Sequence, residues 1–249
     1  MKKYLFFAGL VLLLWNPLPI QAQTQGQSIL KKMDQVVFAP KDKQANVKMV
    51  LVNFNSAKIK TKEAVLYQKG ADTKLFRFTA PKSEVGISSL SLPGGVVYLY
   101  LPMFNKPKKM TSIANSRTFN PSDFSIEDMA TKPYTEKYNP VLVKTTDTSY
   151  VLKLIPKSKD ASYIYLLAVV NKKYYYPEKI EFFNLERKRE KISDYFYIKI
   201  GTYWVPREVD MTDLVRNHKT KIIMTGIKLN QGLPDSLFTP ENMVPKPAN

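Results

Sequence analysis

Cysteine is absent from the 249 residues, and histidine occurs once, at His218. Without cysteine there is no disulfide, thiolate nucleophile, thiolate zinc site or iron–sulfur cluster. An acylated N-terminal cysteine is excluded for the same reason. One histidine rules out a multi-histidine metal centre and argues against a histidine-based triad. Glycine is scarce, with 9 residues, and none falls in a phosphate-cradling loop. Nor is there a nucleophile elbow or a zinc-protease helix. Neither a metal nor a cofactor is expected. Acidic residues are outnumbered, 21 against 38 Lys and Arg, for a formal charge of +17.

Met1-Lys2-Lys3 is a short basic start, and Tyr4 to Trp15 is an apolar run. Asn16-Pro17-Leu18-Pro19 breaks it, and a small residue follows at Ala22. This is the pattern of a cleavable signal peptide, residues 1–22, cut after Ala22. The alternative, an N-terminal anchor, calls for a run nearer the ~20 residues of a membrane span. Cleavage removes Lys2 and Lys3 and leaves the chain strongly basic. Export demotes nucleic acid as a partner. The lysines are scattered in small groups, such as Lys58/Lys60/Lys62, Lys106/Lys108/Lys109 and Lys172/Lys173. They read as solvated turns and strand faces, or as attraction to an anionic membrane surface.

Ser28 to Val37 reads as a helix, because Ile29, Leu30, Met33, Val36 and Val37 form one apolar stripe. From Ala45 the period falls to two. Strands are expected at 45–54, 63–69, 73–80, 96–101, 150–155, 163–170, 179–183, 195–200, 203–209 and 221–229. Short turns between them favour an antiparallel meander. About ten strands and one long helix imply a mainly β protein with accessory helices. Several strands are apolar on both faces: Val96, Tyr98 and Tyr100 on one side, Val97, Leu99 and Leu101 on the other. A sheet with one wet face would alternate more cleanly, so something covers part of the second face. Residues 102–140 hold five prolines (Pro102, Pro107, Pro121, Pro133, Pro140), which interrupt regular structure. That stretch still carries Met103, Phe104, Phe119, Phe124 and Met129. It is either a lid or a loop packed on the core. Pro240 to Asn249 reads as a flexible tail. Residues 23–239 form one domain.

Candidate chemistry is sparse. His218 sits among charges in Arg216-Asn217-His218-Lys219, a turn position. Glu127 and Asp128 follow Ser125, where helix capping accounts for them at less cost than glycoside chemistry. Tyr203-Trp204-Val205-Pro206 suits either the core or stacking on a ring. No enzyme is expected. An exported β protein with excess apolar surface favours a greasy ligand, since each buried methylene contributes ~0.8 kcal/mol.

Three stretches carry a resemblance: Leu75-Phe76-Arg77-Phe78-Thr79-Ala80-Pro81, Val97-Tyr98-Leu99-Tyr100-Leu101-Pro102 and Ser122-Asp123-Phe124-Ser125-Ile126-Glu127-Asp128-Met129. With Tyr176-Pro177, Tyr203-Trp204-Val205-Pro206 and Leu237-Phe238-Thr239 in order downstream, the chain resembles the outer-membrane lipoprotein-sorting proteins of the LolA-like superfamily. The likeness spans roughly residues 27–240. It departs in basic residues: Lys106, Lys108 and Lys109 stand where that branch is richer in arginine, with Arg117 alone.

The resemblance implies a curved, incomplete antiparallel β-barrel with a helical lid. It also implies a periplasmic carrier that shelters acyl chains of lipoproteins or other lipids for sorting to the outer membrane. A lipid-sensing adaptor working with a membrane exporter or signalling partner is the alternative. Candidate lipid-contacting residues are Ile29, Leu30, Met33 and Val37 on the helix. The strands add Met49, Leu51, Phe76, Phe78, Val97, Leu99 and Leu101. Met103, Phe104, Phe119, Phe124 and Met129 come from the Pro-rich segment. Ser122, Asp123, Ser125, Glu127 and Asp128 are read as structural, with Asp123 and Asp128 fixing the loop through backbone N–H groups. A monomer is expected, in transient contact with inner- and outer-membrane proteins.

Overall fold

A computed structural model describes residues 18–110, 122–124 and 132–244. A long helix, α1 (Leu18–Val37), precedes a first run of strands: β1 (Asp42–Asn53), β2 (Lys58–Lys69), β3 (Thr73–Ala80), β4 (Ser88–Leu92), β5 (Val96–Tyr100) and β6 (Lys108–Lys109). A one-turn helix, α2 (Tyr134–Lys137), opens the second run. It comprises β7 (Tyr138–Thr145), β8 (Ser149–Pro156), β9 (Tyr165–Asn171), β10 (Pro177–Phe183), β11 (Arg189–Ile200), β12 (Tyr203–Asp213) and β13 (His218–Leu229). All lie in one 13-stranded sheet, ordered β6-β5-β4-β3-β2-β1-β13-β12-β11-β10-β9-β8-β7. Every pairing among the described residues is antiparallel.

The sheet is curved and unclosed. Lys74 of β3 and Ile180 of β10 line one cleft, although six strand spacings separate them. In a flat sheet that separation is roughly 30 Å. The inner face follows the alternation. Val47 lies between Ala64 and Met224, and Met49 between Lys62 and Ile222. Leu166, Ala168 and Val170 of β9 continue the same face through Leu152 and Leu154 of β8.

The helix packs on this face. Ile29, Leu30 and Met33 are buried, as the stripe predicts. Gly26 allows a close approach, because a Cβ there would lie 3.1 Å from the Leu142 amide nitrogen. Asp34 accepts hydrogen bonds from the amides of Tyr134 and Thr135, both 2.8 Å, and from the Thr135 hydroxyl at 2.7 Å. One carboxylate thus ties α1 to α2. The helix starts before the expected Ser28 and runs through Ala22, the expected cleavage point.

Two expectations are corrected. Pro140 does not end regular structure: it lies inside β7, an edge strand of the sheet, where a missing amide is tolerated. The described part of the expected tail, Pro240 to Val244, is packed rather than flexible. A 3-10 turn at Glu241–Met243 lies on the outer face, and Met243 is buried with Leu75, Leu90, Tyr100 and Phe238. The buried Asp42 carboxylate accepts the amides of Gln231, Gly232 and Leu233, which turns the chain back over β2–β5. Arg77 donates to the Asn242 carbonyl and Ser88 to the Met243 carbonyl. This cover explains why β5 is apolar on both sides.

Met243→Ala is expected to cost about 2–5 kcal/mol, read from the urea midpoint. A change within about 0.5 kcal/mol, as for an exposed tail residue, would contradict the packing.

Candidate functional site

The inner face closes against α1 in one apolar core. Ile29, Leu30, Met33, Met49, Leu51, Phe76, Phe78, Val97 and Phe124 belong to it, and Val37 and Leu99 pack against it. Leu101 is half-buried. Met103 and Phe104 were expected to face a cavity, and the structure corrects this: they are 79% and 43% exposed. The reason is local. Pro102–Phe104 forms a 3-10 turn capped by Asn105 in the left-handed region. Phe104 lies instead under the Lys108 ammonium, 3.7 Å from its ring centre. Phe119, Ser125, Glu127, Asp128 and Met129 lie outside the described residues.

A cleft of about 150 Å³ opens beside this core. Val37 and Phe38 at the end of α1 form one wall, and Phe124 forms another. Tyr134 and Tyr138 enter from α2 and β7, and Leu166, Ile180, Phe182, Tyr195 and Met211 rise from β9–β12. Three cations complete it: Lys74, Lys132 and Lys137. Among the described residues expected to contact lipid, Val37 and Phe124 line this space; Ile29, Leu30, Met33, Met49, Leu51, Phe76, Phe78, Val97 and Leu99 fill the core around it. The sheet's second half supplies Tyr138, Leu166, Ile180, Phe182, Tyr195 and Met211. Its alternation (Ile180/Phe182, and Tyr195 facing Val209) could have pointed there.

Phe124 is held in place by its neighbour. Ser122 and Asp123 are fully buried. One Asp123 carboxylate accepts from the Thr220 hydroxyl at 2.6 Å and from Arg216 at 2.5 Å, and it meets His218 Nδ1 at 2.7 Å. The Asp123 amide donates to the Thr220 hydroxyl at 3.0 Å, and Arg216 also reaches the Ser122 carbonyl at 3.1 Å. Arg216 is braced in turn by Asp213 at 2.8 Å. Asp123 was expected to fix its loop through backbone amides; its carboxylate is instead held by side chains of β13 and its preceding turn. His218 is no idle turn residue: it begins β13 and faces Asp123.

The lysines are unusual. Lys43, Gln68 and Lys74 sit opposite one another across β1, β2 and β3, on the inner face. Burial pushes the Lys43 ammonium down to about 8. Burial, helped by the like charges of Lys43 and Lys137, pushes Lys74 down to about 7. Burial also holds the Tyr134 hydroxyl well above its ordinary value, with Tyr195 and Tyr138 adding to the shift.

Two outcomes follow. Asp123→Asn turns a donor toward Arg216 and His218 and breaks a buried charge contact; with Arg216 partly exposed the loss is about 3 kcal/mol, or about 6–12 °C in Tm. An unchanged Tm would mean the clasp is idle. Lys74 binds fewer protons folded than unfolded, so its contribution makes stability rise with pH from about 7 toward the ~10.4 of a free lysine. Lys74→Met should therefore be stabilising near pH 7 and flatten that rise, measured by urea unfolding at pH 6.5, 8 and 9.5.

With this geometry in place, comparison with known proteins is informative. No curated protein matches the chain. A domain from Vibrio parahaemolyticus named for outer-membrane lipoprotein sorting superposes with a TM-score of 0.83 at 23% identity, covering 90% of this chain and 100% of that one. A DUF1329 family protein from Desulfovibrio piger gives 0.82 at 20% identity, covering 89% and 99%. A LolA superfamily protein from Nitrosomonas europaea gives 0.73 at 25% identity, covering 87% and 98%. A family model described as an uncharacterized protein family matches residues 70–244. The chain belongs to that family, and its curved open sheet with α1 across the inner face is the fold of the LolA superfamily of outer-membrane lipoprotein-sorting proteins.

Proposed function

We propose that the protein is a non-enzymatic periplasmic carrier that shelters the acyl chains of a lipoprotein or lipid between the inner face of its sheet, α1 and the Phe124 segment. The observation that carries this reading is the apolar cleft under Val37 and Phe124, set in the sorting-protein fold. The basic N-terminal start, apolar run and Ala22 support export.

The cleft's size decides how it would work. At about 150 Å³ it is smaller than the ~300–1,000 Å³ of ordinary small-molecule sites. It is near the size of a cavity that takes one benzene ring. The described conformation is thus a closed one, and an acyl chain enters only as Phe124 and neighbouring side chains give way. Each methylene buried contributes ~0.8 kcal/mol, against the cost of that opening. The balance gives moderate, reversible binding, which suits a carrier. Direction then follows from the differential affinity of donor and acceptor.

Native mass spectrometry of the mature protein purified from the periplasm, followed by lipid extraction, tests the reading. A lipid-mass adduct lost on denaturation is expected. Phe124→Ala should keep or increase uptake by enlarging the cleft, whereas Phe124→Asp should reduce it at least tenfold. A clean lipid-free mass that takes up no added lipid or lipopeptide would overturn the carrier reading and favour a protein-binding adaptor.

A further inference from the structure

From the lysines that line the cleft we infer that it carries a second, polar subsite: Lys74 with Lys132 and Lys137, backed by Lys43, takes the anionic phosphate headgroup of a lipid whose chains enter the apolar space. This rests on the carrier reading and adds to it a selectivity among lipids.

The argument starts from where the charges stand. Lys74, Lys132 and Lys137 share the cleft with Val37, Phe124, Leu166 and Ile180, so cations border apolar walls directly. All three lysines are half-buried, which places them where the cleft meets solvent. The sheet sets this arrangement. Lys74 stands opposite Gln68, and Gln68 opposite Lys43, so two lysines share one inner-face row. The charges that reach Lys74 are those of Lys43 and Lys137, of its own sign. On β2, between Lys43 and Lys74, Lys62 meets Glu84 at 2.8 Å and Lys69 meets Asp235 at 2.5 Å. Lys137 also lies against the Tyr138 ring, 5.5 Å from its centre.

Like charges grouped around the Lys74 ammonium are costly in the empty protein. An anion among them removes that repulsion and restores the protonated form of Lys74. A phosphodiester fits, because its oxygens can accept from several ammonium groups at once. Its acyl chains would run toward Leu166, Ile180, Phe182 and Met211. A choline headgroup adds a cation to this cluster and loses the advantage. Among the described residues, the titratable groups that line the subsite are Lys74, Lys132, Lys137, Tyr134, Tyr138 and Tyr195, with Lys43 acting on Lys74 from behind.

The test uses the full mature chain. Vesicles of dioleoyl-phosphatidylglycerol or dioleoyl-phosphatidylcholine are offered at equal concentration, and protein-bound lipid is counted by native mass spectrometry. Wild type should take up phosphatidylglycerol about tenfold better. Lys74→Met and the double variant Lys74→Met/Lys132→Met should bind both lipids about equally while retaining uptake of phosphatidylcholine. Methionine is close to lysine in length and suits the apolar walls beside both positions, and a thermal melt checks that the variants fold. Lys58→Met, at an exposed site of β2, should keep the preference. Equal uptake of the two lipids by wild type would overturn the subsite and leave the carrier reading intact. Uptake of neither lipid would overturn both. Binding of inorganic phosphate alone to the lipid-free protein as strong as that of phosphatidylglycerol, and lost in Lys74→Met, would assign the lysines to a free anion and overturn the headgroup reading.

Discussion

The pairing of β1 with β13 is the constraint on which the rest of the molecule depends. Every other pairing in the sheet joins strands that follow one another along the chain. Those local hairpins form two meanders, β1–β6 and β7–β13. Only the seam of Asp42–Asn53 against His218–Leu229 makes them one sheet. It closes the longest loop in the fold, and the entropy of that closure grows only slowly with length. Apolar contact along the seam offsets it: Val47 faces Met224, and Met49 faces Ile222. The same register sets His218 and Thr220 at the end of the seam where Asp123 docks. At the other end Asp42 receives the chain leaving β13 and turns it outward. One register therefore places both the clasp beneath Phe124 and the cover on the outer face. A slip by one residue would send Val47, Met49 and Leu51 to solvent and dismantle both.

The sheet's two faces are buried by different means. Inside, α1 lies across β7 and β12 with its stripe down and its Asp34 fixed to α2. Outside, the segment after β13 covers only β2–β5, through Phe238 and Met243. The division matters for a site. The outer cover is pinned at its start by three amides on one carboxylate. The inner face is instead closed near the cleft by single side chains, Val37, Phe38 and Phe124. On the proposed reading, admitting a ligand therefore costs least on the inner side, where a few aromatic and aliphatic groups would move and no strand pairing would break.

Much of the β architecture was legible because it is written in local alternation. Thr73–Ala80 matches the expected strand to the residue, and the apolar stripe of Ile29, Leu30 and Met33 is buried as read. What stayed hidden depends on contacts distant in sequence. Ser88–Leu92 has three serines and weak strand propensity, and it forms because β3 and β5 flank it. Pro140 argued against a strand because its place at the sheet's edge is a property of topology. Met243 was set aside with its neighbouring prolines, since nothing near it announces Leu75 and Leu90. His218 shows the same limit at the candidate site. Its flanking charges are visible, but its partner, Asp123, lies 95 residues away. Leu166, Ile180, Phe182 and Tyr195 read as strand residues but not as a site, because only the curvature of the whole sheet brings them opposite Lys74.

The lysines at the cleft are where stability and the proposed function pull apart. Elsewhere the chain resolves a buried amine in the usual way: Lys62 is nearly inaccessible and faces Glu84. A carboxylate opposite Lys74 would do the same there and would relieve the desolvation that lowers its proton affinity. It would also fill the subsite with a permanent internal anion. On the proposed reading, placing Lys74 beside Lys43 and Lys137 keeps the cleft poised for an external anion, at a cost to the empty protein. The apolar walls set the opposite bias, since they are satisfied by side chains alone and favour closure. A ligand that is both anionic and greasy relieves the first and replaces the second. A purely apolar molecule does only the latter, and a free anion only the former. On the proposed reading, the combination selects an amphiphile, which is the chemistry a carrier between membranes must recognise.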